Sequence, residues 1–220
     1  DIANVATLVV IILESSGALV ELGLYCYREQ FLDKLVVIVN EELYAIDADS
    51  FISLGPLAFI DYHPKACVLS HQFPAKENNY SSDVEDLCGH LIDRLKKPSK
   101  RLFESGNNGH IAFVVAEIIR IAFPLMLNEI ESCLKLMSIS IERSRLQQLL
   151  YVLEKMRMIL SVKKSDNLYF CPVERDEQFA SFGKRQGGRN FVPDEVIPIL
   201  KMAFIGSDDR MAHRRARALE

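Results

Sequence analysis

The sequence predicts an α/β unit built on a parallel sheet, followed by a mainly helical unit that ends in a β-hairpin. Three observations predict it. Two short Val/Ile-rich runs, Leu8–Leu13 and Lys34–Asn40, flank a helical stretch, the pattern of a βαβ unit. A polar stretch rich in Gly and Asn, Pro98–Gly109 (PSKRLFESGNNG), then interrupts the pattern. Beyond it the apolar spacing is helical until two alternating runs surround Lys164–Asn167. The chain has 220 residues, room for one large domain or two small ones, and 49% of them are apolar, enough for a real core.

Residues 7–13 read as a buried parallel strand. Residues 17–31 read as a helix with Leu19, Leu22 and Cys26 on one face, and Lys34–Asn40 as a second buried strand. Their crossover should be right-handed. Glu41–Asp61 reads as a long connection broken at Gly55–Pro56, and Ala66–Ser70 as a short third strand. Asp83–Lys97 is an amphipathic helix with Val84, Leu87, Cys88, Leu91 and Leu95 in one stripe and Pro98 after its end. In the second unit, His110–Met137 is one or two helices, kinked or split by Pro124. Ser140–Leu150 and the segment to Met158 read as two helical pieces meeting at a bend. Ile159–Val162 and Leu168–Cys171 read as a hairpin turning at Lys164–Asn167. Helix, helix, hairpin in this order is the winged-helix plan. Residues 172–191 read as an irregular linker with a flexible Gly187–Gly188 turn, and Val192–Ile205 as a last helix with Pro193 in its first turn. The domains expected are therefore 1–98, 110–172 and a C-terminal linker, helix and tail over 173–220.

The net charge of −4 gives no global nucleic-acid signature, so any such claim rests on local patches. Five widely spaced cysteines without a CxxC argue against disulfide and zinc frameworks and fit free thiols in a reducing cytoplasm. His63, His71, His90 and His110 are scattered without ligand spacing, and Asp47 and Asp49 before Ser50–Phe51 read as a helix cap, so neither a metal nor a cofactor is expected. No run reaches the roughly 18 apolar residues of a membrane span, and no signal peptide is visible. Asp1 in place of an initiator methionine, just before a strand, suggests residues upstream of this chain. Leu219–Glu220 and part of the basic Met211–Arg217 segment read as vector-derived.

The richest stretch is Thr7–Gly23, TLVVIILESSGALVELG. A buried strand that opens through a small-residue turn into a helix is where α/β proteins bind ligands. The turn Ser15, Ser16 and Gly17 aims backbone N–H groups and the positive helix end at a phosphate or a sugar, or is plain serine capping; both uses share the same donors. Glu21, near the helix start, could act as a nucleophile at an anomeric carbon or stabilise an oxocarbenium-like centre; a solvated helix glutamate and a ribose-binding carboxylate are the alternatives. Glu14 reads as a ribose-hydroxyl ligand, a proton-transfer group or a strand-end charge facing water.

A second constellation is basic. Arg143, Arg145, Lys155, Arg157, Lys163 and Lys164, against Glu142 and Glu154, give a local excess where a winged helix presents its recognition helix and wing. The alternative is a solvated helix face and an ordinary polar hairpin. Arg94, Lys96, Lys97, Lys100 and Arg101 form another cluster that suits either a polyanion or a helix C-terminus.

ESSGALVELG, KLVVIVNEE and SFISLGP (Ser50–Pro56), followed by a winged-helix-like region, together resemble bacterial retron-associated effectors over roughly residues 3–172. Those proteins join a nucleoside 2′-deoxyribosyltransferase-like domain to a winged-helix domain. The resemblance implies a Rossmann-like N-glycosidic enzyme fold, with the glutamate of the ELG motif, here Glu21, as nucleophile and sugar-holding residues near Glu14 and Ser15. It implies an anti-phage toxin acting on a nucleoside, nucleotide or NAD. A complex of reverse transcriptase and its RNA–DNA product would restrain it, docking through the winged helix. A homo-oligomer is also expected. Two departures bear on activity. The family's first strand and its base-binding loop precede Asp1, and Ser15 stands where the transferase has an acidic residue. Hydrolysis or binding without transfer therefore stays open. The rival reading is a nucleotide-sensing, DNA-binding winged-helix regulator without turnover.

Overall fold

The computed structural model describes residues 2–42, 49–72, 80–96, 102–183, 188 and 191–205. The chain divides into two compact units, Ile2–Leu102 and the residues from Phe103 onward. It is a mixed α/β protein with a three-stranded parallel sheet in the first unit and a two-stranded antiparallel sheet in the second. Among the described residues no helix is long and apolar enough to cross a membrane.

In the first unit a short helix α1 (Ile2–Val5) precedes β1 (Val9–Ile12), β2 (Leu35–Asn40) and β3 (Cys67–His71), ordered β1-β2-β3. β2 is central, and Leu35 through Val39 are all buried, which is why that run is continuously apolar. β1 lies at the edge. Only Ile11 is fully buried, while Val10 and Ile12 are 39% and 44% exposed, so the expected buried strand over 7–13 is shorter and covered on one face. That covered face holds Ile11, Leu35, Val37 and Val39 against Leu22, Cys26, Leu57 and Ile60. Lys34, expected at the start of β2, instead donates to the carbonyls of Asn4 and Ala6 (3.0 and 2.9 Å), satisfying the end of α1.

The expected helix over 17–31 is two helices, α2 (Ser16–Tyr25) and α3 (Glu29–Leu32), separated by a turn. Its inner face is Ala18, Leu22, Tyr25 and Cys26, at i, i+4, i+7 and i+8; Leu19 is 40% exposed and faces out. Gly55–Pro56 does not break the chain. Both sit in a π-helical turn, Ser53–Leu57, that runs into α4 (Ala58–Asp61). The wider turn accommodates a residue that offers no N–H and whose ring would collide with the preceding turn of an α-helix. Ser50 begins this helix, accepting the Ser53 N–H on its hydroxyl at 3.2 Å. Asp47, one of the two expected cap residues, lies outside the described residues, and the cap hydroxyl is Ser50's. Helix α5 (Tyr80–Leu95) forms, but only Leu87 and Leu91 of the expected stripe are half-buried.

The second unit runs α6 (Asn108–Ala122), α7 (Leu127–Leu136), α8 (Arg143–Lys155), β4 (Ile159–Lys164), β5 (Asn167–Pro172) and α9 (Pro193–Ile205). Asn107 caps α6 through its side-chain oxygen, which accepts from the Gly109 N–H at 2.9 Å. Pro124 splits α6 from α7, because the residue before a proline is pushed into extended backbone, and Phe123 has φ −59 and ψ 149. The two helical pieces expected over 140–158 are one helix. Leu146, Leu149, Leu150 and Leu153 form an unbroken buried face with no Gly or Pro to interrupt it. Both α7 and α8 end in left-handed residues that are not glycine, Ser138 (φ 59) and Arg157 (φ 57). The Ile139 N–H reaches the Leu134 carbonyl (2.9 Å) and the Met158 N–H that of Leu153 (3.0 Å), the Schellman pattern. The hairpin pairs Lys164 with Asn167 across Ser165–Asp166, and Ser165 takes φ 54, as two-residue hairpin turns require. Leu125 adds a one-residue bridge to Phe170.

The stretch after β5 is irregular but fastened. Arg120 donates to the Arg175 carbonyl (3.2 Å), and the Phe179 N–H donates to Glu117 (3.1 Å). The Arg175 guanidinium lies 4.9 Å from the Phe123 ring centre. Gly187 lies outside the described residues, and Gly188 is left-handed at φ +84.

Candidate functional site

Parallel α/β sheets place their ligands beyond the carboxyl ends of the strands. Here those ends are Ile12, Asn40 and His71. Beyond β1 the Leu13 N–H donates to the Ile38 carbonyl (2.9 Å) and the Glu14 N–H turns back to Ile12 (3.0 Å), so the chain leaves the sheet in a tight bend. Ser15 follows in extended backbone, φ −145 and ψ 161, and its hydroxyl accepts the Ala18 N–H at 3.2 Å. Serine capping is therefore real, and it satisfies one of the four donors a helix start leaves over. Glu14, Ser15, Ser16, Gly17 and Glu21 are all exposed. A Cβ on Gly17 would meet only the Ser15 hydroxyl, at 3.7 Å, which leaves open space over the turn.

Glu21 follows one turn into α2, next to the core residue Leu22. Leu22 is turned into the sheet and 1% exposed, whereas Glu21 is exposed to solvent. Reading the sequence alone missed two rim residues. Asn40 and His71 close β2 and β3, pair directly in register, and are both half-buried. The signal was available: each is a polar, hydrogen-bonding residue that closes its strand, and in a parallel sheet equivalent ends share one rim. His63 serves a different purpose. Its Nδ1 accepts the N–H groups of Lys65 and Ala66 (3.3 and 3.2 Å), and Lys65 pairs with Asp33 at 2.9 Å. His110 likewise accepts the Glu104 N–H at 3.0 Å.

The basic residues of the second unit fall on α8 and the hairpin. Arg143 pairs with Glu131 of α7 at 3.0 Å, and Arg145 donates to the Gln148 side-chain oxygen at 2.7 Å. The Lys155 ammonium lies 5.2 Å from the Tyr151 ring centre. Arg157, Lys163 and Lys164 are exposed. Glu154, counted against this charge in the sequence, is turned to the hairpin and accepts the Ser161 hydroxyl at 2.6 Å. Of the other basic cluster, Lys96 pairs with Asp93 at 3.1 Å and Arg94 lies in the last turn of α5. Lys97, Lys100 and Arg101 lie outside the described residues.

An α/β unit with a capped strand–turn–helix at its sheet rim, joined to a helical unit with a basic hairpin, defines a two-part protein with one small-ligand candidate site and one polyanion candidate surface. Residues 1–161 match the family model described as STM3845 retron effector protein, and the chain belongs to that family. It is 26% identical over 145 residues to an Escherichia coli protein named "Retron Ec73 putative ribosyltransferase/DNA-binding protein". That match covers 59% of this chain and 45% of the relative, so the chain spans less than half of the relative's length.

Proposed function

We propose that this retron effector is an N-glycosidase-like toxin, in which a nucleoside deoxyribosyltransferase-like unit cleaves a nucleoside, nucleotide or NAD. A winged-helix unit then docks on nucleic acid or on a reverse transcriptase with its RNA–DNA product. The observation that carries the reading is the capped bend at Ser15, with Glu21 one turn further along the same helix. The N–H groups of Ser16 and Gly17 hold a phosphate or sugar oxygen at the positive helix end. The Glu21 carboxylate attacks or stabilises C1′. The C1′–N bond breaks with its electron pair leaving on the base, which takes up a proton, and water then supplies its oxygen to C1′. The name of the Escherichia coli relative, which joins ribosyltransferase to DNA binding, agrees with both halves of this reading.

A second reading draws on the exposure of Glu21 and Glu14. Carboxylates in water bind a ligand without needing the dry site that turnover favours. It makes the protein a nucleotide-sensing regulator that binds DNA. Expression of the intact reading frame in bacteria separates the two. Growth arrest that Glu21→Gln abolishes at equal protein level supports the toxin. Growth unaffected by either form, with a nucleotide-dependent change in duplex DNA affinity, supports the regulator.

A further inference from the structure

Helix α2 and the helical stretch 51–61 cover the same face of the first unit's sheet. Leu22 and Cys26 of the one and Leu57 and Ile60 of the other pack on Ile11, Leu35 and Val37. Their outer surfaces are apolar as well. Val20, Leu24 and Tyr27, at i, i+4 and i+7, are 64%, 52% and 60% exposed. Phe51, Leu54, Phe59 and Tyr62 are 86%, 66%, 44% and 90% exposed. The Tyr27 and Phe59 rings lie 5.0 Å apart between centres, which joins the two stripes into one face.

A helix that is apolar on every side is one that is covered on every side. Residues 15–27 hold a single charge, Glu21, and residues 50–60 hold none, in a chain of which 25% is charged. At roughly 150–250 Å² for a whole large side chain, the exposed fractions amount to on the order of 800 Å². The largest apolar patch of a monomer is about 300–600 Å², whereas a stable interface takes about 800 Å² from each partner.

The absence of charge selects the occupant. A strongly acidic or basic partner finds no counter-charge on this face. A membrane surface is met by helices rich in Lys and Arg, and neither stripe carries one. A two-fold pair sets a patch against its own copy, where like charges would repel, so a face with almost no charge suits it. We propose that this outer face of α2 and the 51–62 stretch docks a second copy of the chain as a two-fold dimer.

The test is sedimentation velocity of the full chain from nanomolar to high micromolar concentration. The unmodified protein passes from monomer to dimer. Leu24→Glu with Leu54→Glu raises the dimer dissociation constant about 100-fold or more, because charges are buried without partners. Leu136→Glu, at an 88% exposed leucine of the second unit, leaves it unchanged. Circular dichroism establishes that each variant is folded. Hydroxyl-radical footprinting of the unmodified protein locates the contact. Phe51 and Tyr62 are oxidised in the dilute monomer and protected in the dimer, while Tyr151 stays reactive in both. Four results overturn the inference: a monomer at every concentration; a dimer that Leu136→Glu breaks and Leu24→Glu with Leu54→Glu does not; Tyr62 still reactive in the dimer; or binding to vesicles of phosphatidylglycerol and phosphatidylethanolamine that the double variant abolishes. None of these readouts involves turnover, so they stand or fall separately from the chemistry proposed for Glu21.

Discussion

Replacing Arg120 by methionine should unfold the second unit more readily than any other single change in α6. Glu117 is fully buried and Arg120 only 4% exposed. They meet in a two-point contact, Nε to Oε2 at 3.0 Å and Nη2 to Oε1 at 2.7 Å. The hydrogen bond to Glu117 raises the pKa of the Arg120 guanidinium above its ordinary value, so the arginine stays charged although it is buried. Methionine fills much of the same volume but leaves a buried carboxylate with the Phe179 N–H as its remaining described donor. Breaking one side of a buried pair costs about 3–5 kcal/mol. The Arg175 carbonyl loses its donor as well, about 1 kcal/mol more. Against a typical total of roughly 5–15 kcal/mol this is a large fraction. Urea titration followed by far-UV circular dichroism measures it. The double change Glu117→Gln with Arg120→Met should recover much of the loss, because no buried charge remains. A loss below about 1 kcal/mol for Arg120→Met would show that water reaches Glu117 and would refute the buried-latch argument.

Further outcomes follow from individual residues and from the cysteines. Ser15→Ala should cost about 1 kcal/mol in thermal unfolding through the lost cap to Ala18. Gly17→Ala should raise stability by about 0.5–1 kcal/mol, because the added methyl meets only the Ser15 hydroxyl; if the turn cradles a ligand, it should weaken nucleotide binding at the same time. Tyr169→Phe should stabilise by about 1 kcal/mol, since the buried Tyr169 hydroxyl has no hydrogen-bond partner among the described residues. Burial pushes the Cys26, Cys67, Cys133 and Cys171 thiols above their ordinary value of 9.0, whereas Cys88 is exposed. Cys88 should therefore react first with a thiol reagent. The native state keeps the four protons that the unfolded chain releases as pH rises past about 9, so stability should fall there in an alkaline titration.

What was legible in the sequence is what local chemistry decides. The central strand β2 announces itself because all its neighbours are protein, and the hairpin because Ser165–Asp166 suits a two-residue turn. The capped bend at Ser15 was legible for the same reason. Tertiary context decided the rest. Pro56 reads as a breaker until a π turn absorbs it, and β1 reads as buried until the sheet order puts it at the edge. The Glu117–Arg120 pair left one trace, two opposite charges at i, i+3 inside an otherwise apolar helix, a spacing that surface helices share. Asn40 and His71 became a pair only when the register of β2 and β3 aligned the ends of their strands.

The most direct measurement is the free base released by the intact protein from nucleosides, deoxynucleoside monophosphates and NAD, resolved by chromatography and compared with Glu21→Gln. The account predicts release from at least one substrate and a loss of about 100-fold or more in the variant, with an unchanged melting temperature because Glu21 is exposed. Release at an undiminished rate by Glu21→Gln would contradict it.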